Sequence, residues 1–190
     1  MPNWATVSYR IEGDREILTK IKNIFEEYMN GTRLYKEGGC STWCGNLFDA
    51  LGIDIPKNYY MRSFINYIDL WERDDVLQIE SEEAWGLSDF STLLQKSFDG
   101  LNVFYICEEP GMEIYITNDE EGVYFPCRYS VEVCVDGNGL YEDFVSKEEL
   151  NNWLHERYGT DYDHIAEWEE AHGKTCDNYI SVHEYQIIND

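Results

Sequence analysis

Residues 63–85 read SFINYIDLWERDDVLQIESEEAW. Two strand-like halves, Phe64 to Glu72 and Val76 to Glu82, flank Arg73-Asp74-Asp75, and both are rich in the aromatic and β-branched residues that suit a pleated surface. The charged tripeptide between them is a turn, so the stretch predicts a β-hairpin. What stands on either side of that hairpin decides the fold.

Upstream, WATVSYRIE at 4–12 alternates apolar and polar residues, the pattern of a half-buried strand. Gly13 and Asp14 end it, and Asp14 is placed to cap a helix in which Ile17, Leu18, Ile21, Ile24, Phe25 and Tyr28 recur every three or four residues. Asn30-Gly31 is its C-terminal signal. Residues 31–39 read as a loop, and STWCGNLFDALG at 41–52 as a short inserted helix stopped by Gly52 and Pro56. Downstream, Ser88 or Asp89 caps a helix through Phe98 with Phe90, Leu93, Leu94 and Phe98 on one side, and Asp99-Gly100 precedes the apolar strand LNVFYIC. Strand, helix, hairpin, helix, strand is the βαββαβ order of a ferredoxin-like sandwich. The expected class is therefore α+β, with residues 1–110 as an antiparallel sheet carrying both long helices on one face.

Residues 111–190 are expected to pack on the same sheet as an acidic extension, making one compact domain. MEIYITND, RYSVEVCVD and LYEDFV are short strand candidates that would lengthen the first sheet from one edge. Ser146 then caps the helix KEELNNWLHERYG, with Glu149 at the third helical position as in a capping box. DHIAEWEEAH at 163–172 reads as another short helix, and Ile180 to Ile188 as a final strand pairing onto an exposed edge.

The 190 residues include 38 Asp and Glu against 14 Lys and Arg, a net charge of −24. Residues 1–100 carry a net of −7 and residues 101–190 a net of −17. Direct binding to nucleic acid is disfavoured, because phosphate neutralisation needs basic clusters that this chain lacks. No run approaches the roughly 20 apolar residues of a membrane span, and MPNWATVSYRIEGD has no basic region followed by an apolar one. A cytoplasmic protein is expected, with its six cysteines as free, largely buried thiols.

MPNW at the start, ESEEAWGLSD at 80–89 and EEPGMEIYITNDEEG at 108–122 together resemble the ferredoxin-like YubB-type proteins of bacterial phages, plasmids and conjugative elements. The resemblance covers roughly residues 1–145, with a gap in register around 31–60. It implies the same fold and a mobile-element setting, and it carries over no catalytic residue. Many of these proteins have Cys directly after MPNW, where this chain has Ala5, so no role for that cysteine transfers.

Cys40 and Cys44 in CSTWC would share one helical face, but a zinc site needs a second ligand pair that no later Cys or His spacing supplies, and redox pairs have two intervening residues. His155, His164, His172 and His183 form no HExxH-type arrangement, and NDEEG at 118–122 reads as a turn without the alternation of a calcium loop. Nucleophile, P-loop and dinucleotide signatures are absent, so neither a cofactor nor a catalytic set is expected. Acids and aromatics do mingle at 148–170. There Glu156, Asp161, Asp163, Glu167, Trp168, Glu169 and Glu170 are the candidate contact residues for a basic partner, with core packing as the competing reading of the aromatics.

The leading expectation is a non-enzymatic accessory protein that binds a basic or DNA-binding host protein through its acidic half, in the narrower form by mimicking DNA. A small-molecule site or enzyme with a pocket where sheet and extension meet is the alternative. Charge that serves solubility alone is the third reading.

Overall fold

The computed structural model describes residues 3–36, 39–73 and 75–189. Helices and strands are mixed, an α+β class, and the chain divides into two compact units, one through Asn118 and one from Asp119 to Asn189.

In the first unit, β1 (Trp4–Glu12), β2 (Ser63–Leu70), β3 (Val76–Ala84), β4 (Asn102–Glu109) and β5 (Ile114–Thr117) stand in the order β2-β3-β1-β4-β5, every neighbouring pair antiparallel. Alternation along β1 turns Ala5, Val7, Tyr9 and Ile11 inward. Against that face pack Leu18, Ile21 and Phe25 of α1 (Arg15–Met29), Leu47 and Phe48 of α2 (Asn46–Leu51), and Phe90 and Leu94 of α3 (Phe90–Ser97). Asp14 starts α1 as expected, its carboxylate accepting from the amides of Glu16 (2.8 Å) and Ile17 (3.3 Å).

Two local expectations change. The inserted helix begins only at Asn46, because the turn at 41–45 bridges the start of β2 through Trp43 and Phe64: Cys44 N donates to Ser63 O (2.9 Å) and Ile65 N to Thr42 O (2.8 Å). Cys40 and Cys44 consequently share no helical face. Asp89 does not cap α3 with its side chain; its carboxylate instead accepts from Tyr60 N (2.5 Å), while Ser88 Oγ accepts from Phe90 N (3.3 Å).

In the second unit, β6 (Tyr129–Val135), β7 (Asn138–Phe144) and β8 (Tyr179–Glu184) form an antiparallel sheet in the order β7-β6-β8. Asp136 and Gly137, both at positive φ (52° and 76°), make the tight β6–β7 turn. β6 and β7 therefore build a sheet of their own instead of lengthening the first, whereas β5 does join it beside β4. The two compact units meet in the sequence between Asn118 and Asp119. α4 (Lys147–Tyr158) and α5 (Ile165–His172) cover one face, with Leu150, Leu154 and Trp168 on Val131, Val133 and Ile180. Ser146 caps α4 by accepting from Glu149 N (3.2 Å).

Candidate functional site

The aromatics among the acids of the second unit belong to its core. Phe144 and Trp153 lie 5.3 Å apart, Trp153 and Tyr158 5.5 Å, Tyr158 and Trp168 6.1 Å, and Trp168 stacks on the His172 ring at 4.3 Å. Trp168, expected at a partner surface, is buried, so it fixes α5 to the sheet and offers no anchor.

The carboxylates divide into paired and unpaired sets. Asp163 binds Lys147 Nζ through both oxygens (2.9 and 3.0 Å), Glu169 binds Lys174 Nζ (2.9 Å), and Asp161 bonds His164 Nδ1 (2.7 Å) while accepting from Asp163 N (3.0 Å). Hydrogen bonding to His164 lowers the Asp161 pKa, and the same bond raises that of His164. Glu156, Glu167 and Glu170, with Glu148 and Glu149 in the first turn of α4, are exposed and have no salt-bridge partner among the described residues.

All four cations of residues 119–189 are already engaged. Besides the two lysines, Arg157 lies over the Trp153 ring at 5.2 Å. Arg128 donates to the carbonyls of Phe125 (2.9 Å), Cys127 (3.1 Å), Asp119 (3.0 Å) and Glu120 (2.9 Å). With 17 acids against four Lys and Arg in that span, the second unit keeps a net negative charge, to which the exposed glutamates of α4 and α5 contribute.

Glu120 and Glu121 sit in the acidic turn expected at 118–122. Asp119, by contrast, is buried, and its carboxylate accepts from the amides of Val123 (3.0 Å), Tyr124 (2.7 Å) and Phe125 (2.8 Å). That carboxylate closes a loop and is spent on backbone donors.

Three arrangements were not foreseen. On the sheet face away from α4 and α5, Glu132 Oε1 accepts from Tyr141 Oη (2.7 Å) and from Tyr179 Oη, and Ser181 Oγ meets His183 Nε2 at 3.0 Å. Hydrogen bonding to Glu132 pushes the Tyr179 pKa up to about 12. The register of β6 with β7 and β8 carries the signal, since Glu132 stands opposite both Tyr141 and Ser181.

In the first unit, Glu83 is fully buried on the helix-covered side of the sheet. Its Oε1 accepts from Tyr9 Oη (2.8 Å), Ser63 Oγ (2.7 Å) and Ser81 Oγ (3.1 Å), and its Oε2 from Ser88 N (2.5 Å). Cys44 Sγ adjoins the cluster at 2.9 Å from Ser63 Oγ. Desolvation, with the nearby Glu83 charge, raises the Cys44 thiol well above its ordinary range and Cys107 to about 12, so both stay protonated packing groups. The alternation Leu77, Ile79, Ser81, Glu83 marks the position in the sequence, since a period of two carries Glu83 onto the inward face.

The third is an open groove of about 1050 Å³ along α1, lined in part by Arg15, Lys20 and Arg33. Two of these cations are taken: Arg15 pairs with Asp75 (2.6 Å) and Arg33 with Glu27 (2.6 Å).

Among the described residues, no group of three or more His, Cys, Asp or Glu is placed to hold a metal ion, and no helix is long and apolar enough to cross a membrane. No family model, no characterised protein and no solved structure matches the chain.

Proposed function

We propose that this chain is a non-enzymatic binding protein whose second unit docks a basic protein surface through the outer side of α4 and α5. The observation that carries this reading is the excess of 17 acids over four Lys and Arg in residues 119–189, with five exposed glutamates that have no ion pair among the described residues. A basic partner would find those carboxylates already ordered on helices over a packed core, and the field would raise its association rate. Mimicry of DNA is the narrower form, and it asks for carboxylates in one band. Glu132 and Asp143 on the opposite sheet face favour the broader form.

The first unit has the strand order β2-β3-β1-β4 in antiparallel register, and this supports a ferredoxin-like βαββαβ sandwich with β5 added. MPNW and the motifs at 80–89 and 108–122 support the YubB-type setting, a bacterial mobile element acting in the host cytoplasm.

The test is retention of host proteins by the tagged chain at low and at high salt, with and without Gln at positions 148, 149, 156, 167 and 170. Basic proteins that elute with salt and are lost in the five-site variant are the expected result. Retention unchanged by those substitutions would refute the assignment of the surface.

A further inference from the structure

β2 is the outermost strand of the first sheet, and among the described residues only the beginning of its free edge has backbone partners. Ser63 and Ile65 direct their backbone groups outward, where Cys44 N and Thr42 O meet them at 2.9 and 2.8 Å. A bulge between Ile65 and Tyr67 then shifts the register, placing Tyr67 opposite Glu80 and Asp69 opposite Gln78. Trp71 N donates to Val76 O (2.9 Å), so Tyr67, Asp69 and Trp71 face β3 with their backbone groups. Alternation leaves the N–H and C=O groups of Ile68 and Leu70 on the open edge. Among the described residues, none of those four groups has a hydrogen-bond partner.

A groove of about 450 Å³ runs beside this edge, lined by Glu26, Met29, Asn30, Asn66, Tyr67 and Ile68. Met29, 39% exposed, gives the groove an apolar contact on the helix side, whereas Tyr67, 48% exposed and opposite Glu80, lies on the other sheet face. Asp69 has no ion-pair partner among the described residues, and its register opposite Gln78 puts it on the sheet face away from the helices.

We propose that the open half of β2 is a strand-addition site for an extended segment of a partner protein that alternates apolar and basic residues. The four free backbone groups supply the ladder bonds, as in other edge-strand recognition. Period-two alternation sends one set of the added side chains toward Met29 and the groove, and the other toward Asp69, beside a Glu80 that Arg10 already pairs at 3.0 Å. A second copy of this chain is the poorer occupant, because it would bring another net charge of −24 and its own Asp69 and Glu26 to the same contact. The site belongs to the first unit, and the acidic surface of α4 and α5 to the second.

The test uses the full chain and a capped eight-residue peptide of alternating Lys and Val, in three versions: unmodified, and N-methylated in either alternating set. The unmodified peptide is expected to slow amide exchange at Ile68 and Leu70 at least tenfold. Only one of the two methylated versions should lose affinity at least tenfold, since only one set of amides faces the edge. Met29→Lys and Asp69→Lys, both surface changes, should each weaken binding at least fivefold, and the five-site glutamine variant of α4 and α5 should not. Equal affinity of both methylated peptides, protection confined to α4 and α5, no binding at millimolar peptide, or protection of Ile68 and Leu70 through self-association alone would each overturn the proposal.

Discussion

Replacing Glu83 with Ala tests the central polar cluster of the first unit. Four donors converge on its two oxygens, and each has a different fallback. Ser81 Oγ can turn to Val7 O at 3.4 Å and Ser63 Oγ to Cys44 Sγ at 2.9 Å, while Tyr9 Oη and Ser88 N have no second acceptor among the described residues. Two orphaned buried donors cost about 1–3 kcal/mol each. The vacated side-chain volume adds about 1–2 kcal/mol, and relief of the carboxylate's own desolvation offsets part of the total. The expected loss is therefore about 3–5 kcal/mol, a large share of the roughly 5–15 kcal/mol that stabilises a typical domain.

Amide exchange at Val7, Ile79 and Tyr105 reads this loss in the first unit alone. A double-mutant cycle sharpens it. Tyr9→Phe should destabilise the wild-type background by about 1 kcal/mol and be neutral or stabilising in the Glu83→Ala background, because the phenol would then be an orphan. A loss below about 1 kcal/mol for Glu83→Ala, or additive effects in the cycle, would refute the reasoning.

Thiol labelling near pH 8 should modify exposed Cys40 ahead of exposed Cys176, because hydrogen bonding to Thr42 lowers the Cys40 pKa; Cys44 and Cys107 should react only on unfolding. Mass-resolved time courses check the order. Asp119→Ala should open the loop that Asp119 closes, destabilising the second unit by about 2–4 kcal/mol from three orphaned amides that water partly satisfies. Faster proteolysis between residues 119 and 128 is the readout. Tyr179 titrates higher folded than unfolded, so its contribution is complete below about pH 10 and falls as pH rises toward 12. Removing the acceptor with Glu132→Ala should flatten that decline in a pH series of denaturation midpoints.

Much of the first unit is legible in the sequence. The hairpin at 63–85, the Asp14-capped α1 and the apolar β4 each advertise themselves through period, cap or turn chemistry within a dozen residues. The inserted helix is shorter than its sequence pattern suggests because Thr42 and Trp43 find their partners some 20 residues away, on the edge of β2. The candidate site is legible as charge, but its sequence does not separate surface from pairing and core. Asp161, Asp163 and Glu169 are paired, and Trp168 is buried, because His164, Lys147, Lys174 and Tyr158 approach them only in the folded unit.

By itself the sequence determined the α+β class, most of the elements and the net charge of −24, since each depends on local pattern or simple summation. Only the tertiary structure decided that β5 joins the first sheet while β6 and β7 build a second. It alone buried Glu83 among four donors and turned the backbone groups of Ile68 and Leu70 to an edge where none of the described residues pairs with them. The reason is physical: alternation along a strand says which way a side chain points, but its neighbours and its depth come from long-range pairing that no local window contains.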